Sequence, residues 1–277
     1  MTAPVKFLRQ PDLDHPVLII SWLMDSVGLG EKSTTYLNRV LDNQVFCEIE
    51  PDEFFPLEGV SLDEDVIQFP ESKFYAGSRK DLVILRTTPP RFDWYPFLKT
   101  VLDIAVEYCH VREIYTIGNM VSIVPHTAPR EMIGNFSSPD IKESLSSYNL
   151  NTTFNYETPP GQRPTLNSYL LWAARRQNIP AATLWVSVPF YIATSGDPKG
   201  ELRILEFFNR KLNLCLGLED LDEAVRRQNQ TISRVREESA DIDSYIRKIE
   251  GGDTLSPEES QLLASHIEKS LSGNSTM

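Results

Sequence analysis

The stretch GLGEKST, residues 28–34, carries the residue types of a phosphate cradle. It follows the apolar run Val17–Ile20 and opens a predicted helix. In that setting backbone N–H groups and a lysine can hold the phosphates of a nucleotide. Spacing decides against it. A P-loop reads G-x-x-x-x-G-K-[ST], so Lys32-Ser33 would need glycines at positions 31 and 26. The chain has Glu31 and Ser26 there. A carboxylate beside the cradle repels phosphate, and the cradle's backbone angles need glycine. The dinucleotide pattern G-x-G-x-x-G fails at Ser33. The stretch reads instead as a βα turn, in which Gly28 and Gly30 let the helix approach the strand closely.

Other residues able to do chemistry are sparse. The sequence has no G-x-S-x-G elbow and no H-E-x-x-H pair. Its four histidines, His15, His110, His126 and His266, are scattered. Only His126 sits in a plausible site loop, Val124–Arg130, just after a strand that ends at Gly118. Open α/β sheets bind ligands at the carboxyl ends of their strands. A ligand cleft there would be built from Ser21, Trp22, Asp25, Asn119, His126, Arg130 and Tyr191. Asp25 or His126 would act as general base and Arg130 would hold an anionic group. Cys47, Cys109 and Cys215 lie far apart, each in or beside an apolar run. With no C-x-x-C pair they read as buried thiols of a reducing compartment. No metal site and no cofactor is expected.

Composition bounds the rest. The 277 residues are 41% hydrophobic, enough for a large core, with a net charge of −12. An acidic chain is a poor general nucleic-acid binder and a poor ligand for anionic membranes. No apolar run approaches the about 20 residues that span a bilayer. The polar, Pro-containing start, MTAPVKFLRQPDLDHP, lacks the apolar core of a signal peptide. The expectation is a cytoplasmic protein.

These residues need a scaffold, and strand-like and helix-like segments alternate through the first 215 positions. Strands are predicted at Val17–Ser21, Val45–Ile49, Asp81–Arg86, Glu113–Ile117, Asn151–Tyr156 and Ala182–Val188. Asp65–Phe69 and Lys73–Ala76 read as an inserted hairpin. Helices are predicted at Glu31–Leu41, Trp94–His110, Pro139–Tyr148, Pro164–Gln177 and Pro198–Leu212. This alternation implies an α/β domain, residues 1–216, with a mostly parallel sheet covered by helices on both faces.

Residues 217–272 read as a C-terminal helical arm. From Leu218 to Ile249 there is no Gly and no Pro. Taking Leu218 as heptad position a, the a/d series has Leu218, Leu221, Val225, Ile232, Val235, Ile242, Ile246 and Ile249, interrupted by Gln228 and Ser239. That is a coiled-coil seam able to contact another subunit or a partner; a long amphipathic helix lying on its own domain is the other reading. A second helix follows, with Ser256 as N-cap, Pro257 at the first position and Glu259 completing a capping box. Its apolar face is Leu262, Leu263, Ile267 and Leu271, and the two helices would close a helical hairpin. Residues 273–277 are expected to fray.

Several segments, taken in order, resemble the proteasome assembly chaperone 2 family, once labelled ATP-grasp-like. They are LIISWLMDSVGLG, EIEPDEFFPL, SKFYAGSRKDLVILRTTPPRFDWYPFLKTVLDIA, IYTIGNMVSIVPHTAPREMIG and PAATLWVSVPFYIATSGDPKG, and the likeness covers roughly residues 15–250. The resemblance implies a phosphorylase/hydrolase-like α/β fold, a homo-oligomer that is often a trimer, and chaperones that guide proteasome assembly. The chain departs from the pattern at Asn119-Met120, at Gln162-Arg163, and in a terminus, Ser-Thr-Met, without a penultimate tyrosine. The last difference argues against insertion into proteasome pockets. The expected function is non-catalytic: an assembly-chaperone-like protein that binds itself and an unknown protein partner, whose acidic surface favours basic partners. The alternative is a small-molecule hydrolase or phosphorylase-like enzyme using the strand-end cleft, which rests on fold analogy.

Overall fold

The structure is a computed structural model that describes residues 5–23, 25–50, 54–55, 61–63, 66–153 and 157–272. Ten strands and eight α-helices follow one another among them. The strands are β1 (Val5–Phe7), β2 (Val17–Trp22), β3 (Gln44–Ile49), β4 (Ser61–Asp63), β5 (Val66–Gln68), β6 (Ser72–Ala76), β7 (Leu82–Thr87), β8 (Glu113–Ser122), β9 (Met132–Phe136) and β10 (Ala181–Pro189). The helices are α1 (Leu29–Leu41), α2 (Trp94–Asp103), α3 (Pro139–Ser144), α4 (Leu166–Arg176), α5 (Pro198–Leu212), α6 (Glu219–Glu238), α7 (Ala240–Glu250) and α8 (Pro257–Ser272).

Eight strands form one sheet in the order β1-β3-β6-β7-β2-β8-β10-β9. The expectation of a mostly parallel sheet is corrected: the sheet is mixed. β7, β2 and β8 run parallel, with Val17 opposite Leu82 and Glu113. β1–β3, β3–β6 and β6–β7 are antiparallel. Apolar runs such as VLIISW and LVIL mark a strand as buried on both faces but carry no direction. The predicted hairpin of β5 with β6 is also corrected. β5 pairs with β4 in a separate ribbon, and β6 fills the place between β3 and β7. Its alternation in SKFYA, with Ser72, Phe74 and Ala76 buried, is that of a sheet member.

Other boundaries moved for local reasons. β8 runs through Gly118 to Ser122. The helix from Trp94 changes at Ile104 into one π-helical turn, Ile104–Tyr108, closed by Cys109 N–H donating to the Ile104 carbonyl at 3.0 Å. Strands β1, β4 and β9 were not expected from the sequence, as each is only three to five residues long. Of the strand expected at Asn151–Tyr156, Asn151 forms only a single bridge and 154–156 lie outside the described residues. The frayed tail, 273–277, lies outside them too.

Alternate residues of β2 serve two faces. Leu18, Ile20 and Trp22 share one core with Phe97, Leu98, Val101 and Leu102 of α2 and with Leu170, Leu171, Ala173 and Ala174 of α4. On the other face α1 approaches through Gly30; a Cβ there would lie 3.0 Å from Ser21 Oγ and 3.6 Å from Ile117.

The chain divides into two compact units, and not at Gly217. The first comprises Met1–Asp25, Gly30–Gly118 and Gly134–Leu184; the second comprises Ser26–Leu29, Asn119–Ile133 and Trp185–Met277. Within the second unit the expected two-helix arm is three helices. The presumed continuous helix breaks at Ser239, which is extended (φ −137°, ψ 109°) and caps α7 by accepting the Ile242 N–H. The predicted capping box of α8 is present: Ser256 Oγ accepts the Glu259 N–H at 3.2 Å, and Glu259 Oε2 accepts the Ser256 N–H at 2.9 Å. Leu263 and Ile267 are buried, whereas Leu262 faces solvent.

Candidate functional site

The residues of the opening glycine stretch fold into the first turn of α1. Gly28 has φ 69°, the left-handed region that favours glycine. The Asp25 carboxylate accepts the Gly30 N–H at 3.2 Å, so a side chain already occupies the helix N-terminus where a phosphate would sit. Lys32 is exposed while Ser33 is fully buried, so the two do not converge as a P-loop pair must. Glu31, the residue that broke the motif, accepts from Arg86 Nη2 of β7 at 3.1 Å. Ser21, in register with Arg86, is buried, and its Oγ has no hydrogen-bond partner among the described residues. Trp22 is buried, and its indole N–H donates to Asn167 Oδ1 at 2.5 Å. Ser21, Trp22 and Asp25 therefore belong to the first unit as packing and capping residues.

The other four expected cleft residues belong to the second unit. Asn119 accepts from Ser26 Oγ at 3.1 Å. His126 and Tyr191 are both buried. The Tyr191 hydroxyl accepts the His126 backbone N–H at 2.6 Å and lies 2.9 Å from its Nδ1. The direction of this second bond follows the imidazole tautomer. Burial, with Lys199 and Arg236 nearby, lowers the His126 pKa to about 4. Burial pushes the Tyr191 phenol well above its usual range. The imidazole is thus neutral at pH 7 and already bonded.

Arg130 is spent in the same way. Its Nε donates to Asp197 Oδ2 at 2.5 Å and its Nη2 to Oδ1 at 3.1 Å, both side chains being fully buried. Its Nη1 donates to the carbonyls of Ala128, at 3.0 Å, and His126, at 3.4 Å. Lys199 Nζ donates to the carbonyls of His126 and Thr127 at 2.6 and 3.2 Å. These bonds hold the 126–130 loop, and the Arg130 side chain is fully buried. Asp197 and Lys199 were not foreseen; each lies about 70 positions from its partner, and only the "DPK" start of α5 marked them in the sequence.

The expected partner seam turns inward. Leu221, Ile232, Val235, Ile242, Ile246 and Ile249 are buried within this one chain, and Leu218 and Val225 are half-buried. α6 packs on α5, α7 and α8. Gln228, which looked like a register residue, donates from Nε2 to the Gly196 carbonyl at 2.9 Å. The coiled-coil reading is corrected: this is the amphipathic helix lying on its own unit.

Among the described residues, no group of three or more His, Cys, Asp or Glu side chains is placed to hold a metal ion. No helix among them is long and apolar enough to cross a membrane. Cys47 and Cys109 are buried and their thiols are pushed up to about 12, mainly by burial, so neither is a ready nucleophile.

Residues 25–236 match the model of the PAC2 family. The chain belongs to the PAC2 family. Three solved structures place its fold among PAC2 relatives and proteasome-associated proteins. A PAC2 family protein from Streptomyces avermitilis is 24% identical with a TM-score of 0.66, covering 79% of this chain and 95% of that one. A proteasome-assembly chaperone homologue from Mycobacterium tuberculosis is 19% identical with a TM-score of 0.66, covering 79% and 94%. PbaB, an archaeal proteasome activator from Pyrococcus furiosus, is 19% identical with a TM-score of 0.65, covering 84% and 98%. No curated protein matches this PAC2 chain. The family model and the Streptomyces avermitilis structure carry the PAC2 description, and no match supports an ATP-grasp-like label.

Proposed function

We propose that this PAC2 chain is a non-catalytic, assembly-chaperone-like protein that binds other protein subunits. One observation carries the reading. The side chains best suited to chemistry are bonded to their own chain: Arg130 to Asp197, His126 to Tyr191, Asp25 to the first turn of α1. A base needs a substrate proton within reach and an anion holder needs a free edge. Family membership supports the same reading, as do the structural neighbours described as a proteasome-assembly chaperone homologue and a proteasome activator. Self-association and a proteasomal partner belong to this proposal.

The test is deletion of the gene in the source organism, followed by sedimentation of its large complexes. An assembly chaperone leaves unassembled subunits behind when it is lost, and its tagged form co-sediments with them and not with the finished complex. Unchanged assembly, with no protein retained on the tagged chain, would sink the proposal. Light scattering of the pure chain tests self-association directly, and a monomer at all concentrations would remove that part.

A further inference from the structure

The outward side of α2 and α4, both in the first unit, carries four aromatic rings, of which Tyr169 also packs on the core and two are well exposed. Tyr95 is 48% exposed and Trp172 is 43% exposed. Their ring centroids lie 6.3 Å apart. Tyr169 stacks on Trp172 at 5.3 Å with an interplanar angle of 13°, and Trp94 lies 6.3 Å from Tyr169. Four rings thus form one contiguous platform. Beside it lies a hollow of about 190 Å³, lined by Tyr95, Lys99, Leu102, Ala173, Arg176 and Gln177. Small-molecule sites run to about 300–1,000 Å³, so this hollow suits a single apolar side chain better than a cofactor.

The charge at this surface opposes that of the whole molecule. The chain carries twelve excess negative charges. Yet Arg175 and Arg176 end α4, and no carboxylate pairs with either among the described residues. Arg176 lies over the Trp172 ring, 5.0 Å from its centroid. The helix dipole favours positive charge at a C-terminus. It does not require a guanidinium stacked on an exposed indole. A stacked guanidinium still offers its N–H edge to a carboxylate. Exposed Trp, Tyr and Arg around a small hollow are the composition of an interface hot spot.

We propose that the α2–α4 face docks a segment of a partner protein that carries an apolar side chain beside a carboxylate. The apolar side chain fills the hollow over Leu102 and Ala173, and the carboxylate meets Arg176. A second copy of this chain suits the face less well. In a two-fold contact the same patch meets itself. None of the six residues lining the hollow is a carboxylate, so the same patch on a second copy brings no acid to Arg176. The inference rests on the reading of this chain as a protein-binding molecule, and it names where and by what chemistry it binds.

A random 12-residue peptide library displayed on phage, selected against the intact chain, tests it. The enriched peptides should carry Asp or Glu within a few positions of Leu, Phe or Trp. A synthetic peptide of the enriched sequence should then be titrated against variants. Trp172→Ala and Arg176→Glu should each weaken it about 30-fold, the size of a hot-spot loss. Lys in place of the peptide's acidic residue should restore binding to the Arg176→Glu variant. The thermal midpoint of Trp172→Ala, a surface change, should stay within about 2 °C of the parent. Three results overturn the proposal: no enrichment, enriched peptides indifferent to both substitutions, or a Trp172→Ala chain that changes from oligomer to monomer. None of these alters the gene-deletion result, so failure here is distinguishable from failure of the assembly role.

Discussion

Arg130 and Asp197 form a fully buried, two-pronged ion pair. Such a pair adds little net stability over an apolar replacement, but breaking it strands a charge. Asp197→Ala is expected to cost about 3–5 kcal/mol in urea unfolding. The double variant Arg130→Met with Asp197→Leu should cost less than either single change. Equal or additive losses would contradict a paired, buried geometry. His126 gives a pH signature. Its imidazole is held at about 4 in the folded chain, against about 6.5 when unfolded. A folded pKa below the unfolded one means that the unfolded state takes up the proton first as pH falls. The stability held by neutral His126 is therefore complete above pH 6.5 and is lost towards pH 4, by about 3 kcal/mol. His126→Asn can keep the bond to Tyr191 without titrating. The stability gap between parent and variant should shift in the variant's favour between pH 7 and pH 4.5. A constant gap would mean that His126 is not buried neutral.

Helical elements show where pattern and structure part. The a/d series over Leu218–Ile249 has the period of a coiled coil, and its apolar positions are indeed buried. Periodicity says that a face is buried; it does not say what against. Here α8 and α5 supply the cover. Ser239 is then a cap and not a flaw in a seam. Ser239→Leu separates the two readings. It completes the heptad at position a, so a continuous coiled coil would gain stability. In the observed fold it removes the cap of α7, and a loss of about 1 kcal/mol is expected by thermal or urea unfolding. The α8 capping box, by contrast, was readable, because both of its bonds join residues three positions apart.

Over the whole molecule, the C-terminal helices pack on other elements of their own unit. α8 packs on the turn Phe190–Ser195, where Tyr191 and Ile192 are buried, and α6 packs on α5. A chain ending at Leu216 would expose these apolar surfaces to water, at about 25 cal/mol for each Å² uncovered. We expect residues 1–216 to be insoluble or molten on expression, as read by soluble yield and near-UV circular dichroism. A well-folded fragment would show that the helices are an appendage after all. For the same reason, deleting residues 218–277 is a poor way to look for an oligomer interface.

Much of the element plan was legible in the sequence. Continuous apolar runs marked β2, β7 and β10, and stripes of spacing three and four marked α2 and α5. Glu31 and Ser26 excluded a P-loop before any fold was known, because that motif is local and its failure is local too. Strand direction, the place of β6 inside the sheet, and the inward turn of the heptad face depend on partners dozens of residues away. So does the use of the strand-end residues. His126, Arg130 and Tyr191 have the chemistry of a site, and nothing near them in sequence says otherwise. Only the tertiary structure brings Asp197 to Arg130 and the Tyr191 hydroxyl to His126, because these pairs join residues 67 and 65 positions apart.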